Sequence, residues 1–190
     1  MKSTQFKLTK DELGLLATLP GAAWDHYGGE AMADGGAYAQ EAFLVTSVGA
    51  LTLRADMRVA NVEGFDEEYT EFVVTSGAQG ERRALARGNL YYFLRGNQVL
   101  SVHVVRDEVC ASGVGDVECE FVSDSGIMVV TEGGSLGITL GGPFTPDLFI
   151  ARGSRDEVPH LHDGTQAWES DLEIEYQCRG TLIPVQDLLD

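Results

Sequence analysis

The sequence predicts a mainly β protein of the α+β kind: an antiparallel meander sheet of seven or more strands, forming a sandwich or an open barrel, with one short N-terminal helix covering it. Three observations carry this. Runs in which apolar and polar residues alternate fill most of the chain from Glu41 onward, the period of a half-buried strand. The 23 glycines fall mostly between those runs, where tight turns need them. A single stretch near the N-terminus has the start and stop signals of a helix.

That helix begins at Thr9-Lys10-Asp11-Glu12. Thr9 as N-cap and Glu12 as the third helical residue make a capping box, and Leu8 and Leu13 occupy the positions of a hydrophobic staple. Leu13, Leu16 and Ala17 form its apolar stripe, and Pro20-Gly21 ends it. So short a helix persists only when docked. Between Ala22 and Tyr38 the periodicity fails, and paired glycines at 28–29 and 35–36 bracket Glu30 to Asp34, a helical turn or a loop. Trp24, His26 and Tyr27 there are more in keeping with anchors to a core than with a ligand site.

Phe43 and Val45 alternate with Leu44 and Thr46. Leu51, Leu53, Ala55, Met57 and Val59 then alternate with Thr52, Arg54, Asp56 and Arg58, a half-buried strand. An acidic turn at 63–68 leads to a strand over Tyr69–Thr75. Residues 78–88 are polar and read as a helical turn or a loop; their Arg82, Arg83 and Arg87 form the one basic cluster, more in keeping with a solvated loop than with an anion site. Leu90 to Val105 has two β-favouring runs around Gly96-Asn97, which predicts a hairpin pairing Tyr91 with Val102. Val117, Cys119 and Phe121 alternate with Asp116, Glu118 and Glu120, and Ser123-Asp124-Ser125-Gly126 reads as a turn. Ile127–Val130 is apolar on both faces, as in a central strand. Gly133-Gly134 is a further hairpin turn before Leu136, Ile138 and Leu140. Residues 90–140 are thus expected to be a meander of about five strands. Leu148–Ile150 is a short strand, Arg152–Thr165 a loop, and Leu172–Cys178 a last strand. Pro184–Asp190 forms one helical turn that packs Val185, Leu188 and Leu189.

A chain of 190 residues without a Pro- or Ser-rich linker or an internal repeat reads as one domain. Within it, 1–40 form a less regular helical cap, 41–180 the β core and 181–190 a C-terminal turn. No stretch is apolar enough to cross a membrane, and the N-terminus lacks the apolar segment of a secretory signal, so a cytoplasmic location is expected. Cys110, Cys119 and Cys178 are too few and too oddly spaced for a disulfide framework or a zinc motif. The alternation places Cys119 and Cys178 inside.

The net charge is −17, and it is uneven: residues 1–95 carry −4 and residues 96–190 carry −13. All three lysines lie within the first ten positions. Such a surface repels phosphate backbones and anionic membranes, which excludes nucleic acid and membrane as expected partners and favours a basic protein. Two acidic rows stand out: Asp116, Glu118 and Glu120 on one strand face, and Asp171, Glu173 and Glu175 on another. Like charges two residues apart on a strand repel, so solvent or a partner must compensate them. Charge that guards a sheet against aggregation is the plainer account.

Signatures of catalysis are absent. There is no phosphate-binding glycine loop or nucleophile elbow, and lysine does not occur after position 10. The one metal-like pattern is His160-x-His162, whose imidazoles share a side on an extended segment, with Glu157 and Asp163 as oxygen donors. Two histidines beside proline in an acidic loop are more often surface residues. The function expected is therefore a non-enzymatic acidic interaction module (an adaptor, chaperone or inhibitor-like protein) that binds a basic partner without a cofactor. Self-association is a further outcome this reading admits. The alternative is a β-scaffold enzyme or small-ligand binder using a divalent metal at His160 and His162.

Overall fold

The computed structural model describes residues 2–31, 38–62, 65–77, 90–91, 97–112, 118–142, 145–155, 163–168 and 174–189. These hold the strands β1 (Lys2–Phe6), β2 (Trp24–Ala31), β3 (Tyr38–Thr46), β4 (Gly49–Val62), β5 (Phe65–Ser76), β6 (Leu90–Tyr91), β7 (Val99–Ser112), β8 (Glu118–Thr131), β9 (Gly134–Leu140), β10 (Leu148–Gly153), β11 (Asp163–Trp168) and β12 (Ile174–Pro184). One helix, α1 (Lys10–Ala17), and a 3-10 turn at Val185–Leu188 complete them. The strands join one sheet in the order β11-β12-β7-β8-β9-β10-β3-β2-β6, which does not close into a barrel. The sheet divides at two strands. One edge of β8 takes β9 over 126–131 and β1 over 119–123, and one edge of β3 takes β10 at Tyr38 and Ala39 and β4 over 41–46.

The helix forms as its local sequence requires. The Thr9 hydroxyl accepts the Glu12 N–H at 3.3 Å, and the Glu12 carboxylate accepts the Thr9 N–H at 2.8 Å. The second carboxylate oxygen of Glu12 accepts the Val74 N–H at 3.0 Å. β4 occupies the other edge of β5, so one glutamate both caps the helix and satisfies a donor on the open edge of a strand. Leu13 and Leu16 are buried, as is Leu8 before the cap.

Those leucines enter a core built from Trp24 and Tyr27 of β2, Leu44 of β3, Leu51 and Leu53 of β4, Phe72 and Val74 of β5, and the alternate apolar residues of β7 to β10. Val185 is part of it, and Leu188 and Leu189 pack against it, which closes the C-terminus onto the core. All seven residues of β9 are buried, and Ile127, Met128 and Val129 of β8 are buried on successive faces. The middle of the sheet is covered on both sides.

The structure corrects five expectations. The expected pairing of Tyr91 with Val102 is not made: Tyr91 pairs with Tyr27 of β2, and Val102 pairs with Val129 of β8. Longer ladders to β8 and β12 take both edges of β7, and at its start the Val99 N–H donates to the Ala22 carbonyl at 2.9 Å. Non-local pairing outweighs the turn propensity of Gly96-Asn97. Residues 24–31 are strand β2 rather than loop, and the aromatic anchors hold it: Trp24 and Tyr27 meet edge-on at 6.0 Å inside the core. Met57 and Val59 are exposed, because the β4–β5 hairpin runs beyond the core that buries Leu51 and Leu53. The expected loop 152–165 is strand at both ends, in β10 and β11.

The last correction concerns Ser123-Asp124-Ser125-Gly126, which is a β-bulge inside β8 rather than a turn. Val105 pairs with Gly126 and Arg106 with Asp124, which leaves Ser125 as the extra residue. A Cβ on Gly126 would lie 2.4 Å from the Ile138 carbonyl oxygen, so only glycine lets β9 approach. Asp124 is buried, and its carboxylate accepts the Arg106 Nε–H at 2.7 Å and the Leu8 N–H at 2.9 Å. Turn-forming residues thus mark the point where three segments are tied.

Breaking this tie from one side strands a buried charge. Arg106→Met is expected to cost about 3–5 kcal/mol in urea unfolding, and adding Asp124→Asn to it is expected to recover part of that loss. Gly126→Ala should destabilise by steric displacement of β9, with a lower urea midpoint at an unchanged slope.

Candidate functional site

β7 is fourteen residues long, and only its first part lies over the main core. Beyond Val105 it runs between β8 and β12, with β1 outside β8 and β11 outside β12. Residues paired across neighbouring strands share a face, so the register sorts this five-stranded part into two sides.

One side is mostly polar. Ala167, Glu175, Ser112 and Glu118 form one row across β11, β12, β7 and β8. The next row is Thr165, Gln177, Cys110, Glu120 and Ser3 of β1. The third is Asp163, Arg179, Glu108, Val122 and Gln5. Gln5, Glu108, Cys110, Gln177 and Arg179 are exposed, and Val122 is half-buried. The opposite side holds a small second core of Val109 and Cys178 with Phe121 against it. There Phe6 of β1 stacks on Tyr69 of β5, ring centroids 3.7 Å apart. The second core fixes which way the ribbon faces, and on the other side Gln5, Glu108, Cys110, Gln177 and Arg179 are turned to solvent.

Of the two acidic rows expected from sequence, the backbones of Glu118, Glu120 and Glu175 are described, and the register sets them on the two strands that flank β7. Glu118 and Glu175 are both register partners of Ser112, one on each side of it, and Glu120 lies in the adjoining row. Two strand spacings separate Glu118 from Glu175, about 10 Å. The register adds Glu108 and Asp163, so these rows hold five acids and one base, Arg179. Glu108 was missed because nothing in the local sequence says that β7 lies between the acidic strands. Its alternation with Cys110 and Ser112 was the available signal. Asp116, Asp171 and Glu173 lie outside the described residues, as do Glu157, His160 and His162 of the metal pattern and the cluster of Arg82, Arg83 and Arg87. Of the proposed metal donors only the backbone of Asp163 is described, in the third row. Among the described residues no group of three or more His, Cys, Asp or Glu is placed to hold a metal ion.

A second polar arrangement lies nearer the core. The Ser101 hydroxyl and His103 Nε2 hydrogen-bond at 3.0 Å on one face of β7. Both are half-buried, and His103 pairs with Pro184, just before the 3-10 turn that carries Asp187. Burial lowers the His103 pKa from its ordinary value, and the charge of Asp187 acts in the opposite direction. A neutral imidazole and a hydroxyl satisfy each other's polar atoms here, at i and i+2 on one strand face. Deeper in the fold, Arg152 donates to the Tyr27 hydroxyl, which satisfies the polar end of a buried ring.

Comparison with known proteins adds no family: no family model matches the chain, and no curated protein or solved structure matches it.

The His103 pKa sets a pH response with a definite sign. A histidine whose folded pKa is lowered binds fewer protons folded than unfolded, so its contribution to stability is present above the ordinary value of about 6.5 and is lost as pH falls through the folded one. Proton titration followed by NMR is expected to place His103 below that ordinary value. His103→Gln is expected to lessen the loss of stability on going from pH 7 to pH 5. Titration at or above the ordinary value would contradict the assigned burial.

Proposed function

We propose that the protein is a non-enzymatic interaction module whose acidic ribbon face binds a basic protein partner. One observation carries this reading: the register of β12, β7 and β8 brings Glu175, Glu108, Glu118 and Glu120 onto a single face with one arginine among them. Like charges this close repel, and a cationic partner relieves that repulsion. The −13 carried by residues 96–190 extends the same field over the rest of that half. It steers cationic partners in and keeps phosphate backbones away. Cys110, a free and exposed thiol within the face, fits a reducing compartment, in keeping with a cytoplasmic location.

An oligolysine peptide is the simplest probe. Binding is expected at low ionic strength and should weaken about tenfold or more between 50 and 200 mM salt, since exposed charges are screened within a Debye length. Replacing Glu108, Glu118, Glu120 and Glu175 together with glutamine should remove most of that binding while leaving the far-ultraviolet circular dichroism unchanged. Equal binding by this variant and the native chain would rule the face out as the site.

A further inference from the structure

We propose that the edge of β8 over residues 119–123 is a strand-docking site, that β1 is its resident occupant, and that the basic partner enters as an extended segment taking β1's place. This rests on the interaction reading above and adds where and in what form the partner binds.

The resident strand shows what chemistry the edge accepts. β1 pairs with β8 from Lys2 opposite Cys119 to Phe6 opposite Ser123, the one parallel pairing among the described strands. The first ten residues contain every lysine of the chain and no acid, whereas 118–124 contain Glu118, Glu120 and Asp124 and no base. Lys2, the one base of β1, stands opposite Cys119 and so on the face away from Glu120, which leaves the acidic side of this edge without a cation of its own. β1 is held modestly: five residues long, in the weaker parallel geometry, with its partner more than a hundred positions away in the chain.

The anchoring of the neighbouring helix does not depend on it. Leu8 is tied to Asp124, Thr9 and Glu12 form the cap, and Leu8 and Leu13 are in the core. The hinge is therefore Lys7, which is exposed and lies between the strand and these anchors. If β1 swings out at Lys7, what is lost is its ladder and the stacking of Phe6 on Tyr69, while the helix remains docked.

The register also says which partner would displace it. Ser3 lies in the row of Glu120 and Gln5 in the row of Val122 and Glu108, so both positions belong to the acidic face and neither carries charge. A segment with cations at these two positions and an aromatic residue at the place of Phe6 keeps the stacking and adds two opposite-charge neighbours. β1 is then a weak internal substitute for such a segment, holding the edge closed until the segment arrives.

The test uses the full chain with Gln5→Cys and Val122→Cys in a background with Cys110→Ser, Cys119→Ser and Cys178→Ala. These positions are register partners on adjacent strands, at a spacing a disulfide can span. The probe is a labelled peptide of residues 2–7 carrying Ser3→Lys and Gln5→Lys. The reduced protein is expected to bind it, and the oxidised protein, with β1 locked in place, to bind at least about tenfold more weakly. The unsubstituted 2–7 peptide should bind several-fold more weakly than the dilysine one. Gln5→Pro in the native chain, which weakens the β1 ladder, should bind the probe several-fold more tightly. Oligolysine binding to the face should survive in the locked form. Equal peptide binding by locked and reduced protein overturns the docking site and leaves the face reading standing. So does absence of peptide binding alongside salt-sensitive oligolysine binding. Loss of both overturns the two together.

Discussion

A carboxylate with almost no access to water must be paired, and Asp124 is paired twice: with the Arg106 guanidinium on β7 and with the Leu8 amide just before α1. Either contact alone leaves part of its desolvation uncompensated. Together they tie the N-terminal segment, β7 and β8 at one point, where the bulge at Ser125 interrupts the β7–β8 ladder. On one side of that point β8 pairs with β9, and on the other with β1. Removing the tie would loosen the entry into α1 and the alignment of β1 together, while Glu12 on Val74 and the core leucines still hold the helix. The arrangement also explains why a polar sequence, Ser-Asp-Ser-Gly, stands in the middle of a strand.

The same point divides the ribbon by environment. Before it, Val102, Val104, Ile127 and Val129 enter the main core. After it, Val109, Phe121 and Cys178 form a small core on one face only. The other face carries no apolar requirement, and there the chain has collected its acids. Repulsion among exposed acids costs little while they are wet and screened, and in the proposed function a cationic partner would relieve it. Fold and charge pattern are thus two consequences of how far each strand of the ribbon extends beyond the core.

What could be read from the sequence was what is decided locally. The helix was legible in full because Thr9, Glu12, Leu8 and Leu13 interact within a few residues of one another. Strand identity was legible from alternation in β4, β5 and β12 and from the apolar run over 127–130, while the rest of β8 was broken by its bulge. Partner choice was not legible, because register is fixed by contacts across the chain. Gly96-Asn97 carries the strongest hairpin signal present, yet Tyr91 pairs with Tyr27, since β7 gains longer ladders from β8 and β12. Gly28-Gly29 concealed β2; a Cβ on Gly29 would lie 3.0 Å from the Cβ of Ala39, so close approach of β3 accounts for that glycine. The acidic rows were each visible as alternation. That they adjoin, with Glu108 between them, depends on β7 lying between β8 and β12, which no local pattern encodes.

The central claim is that this register assembles the acidic face, and a single distance tests it most directly. Nitroxide labels at Glu118→Cys and Glu175→Cys, in a background with Cys110→Ser, Cys119→Ser and Cys178→Ala, should lie about 10 Å apart at the backbone, two strand spacings across β7. Strong dipolar broadening of the doubly labelled protein relative to the two single labels is the predicted result. A spectrum equal to the sum of the single labels would mean that β8 and β12 do not flank β7, and the acidic face would not exist.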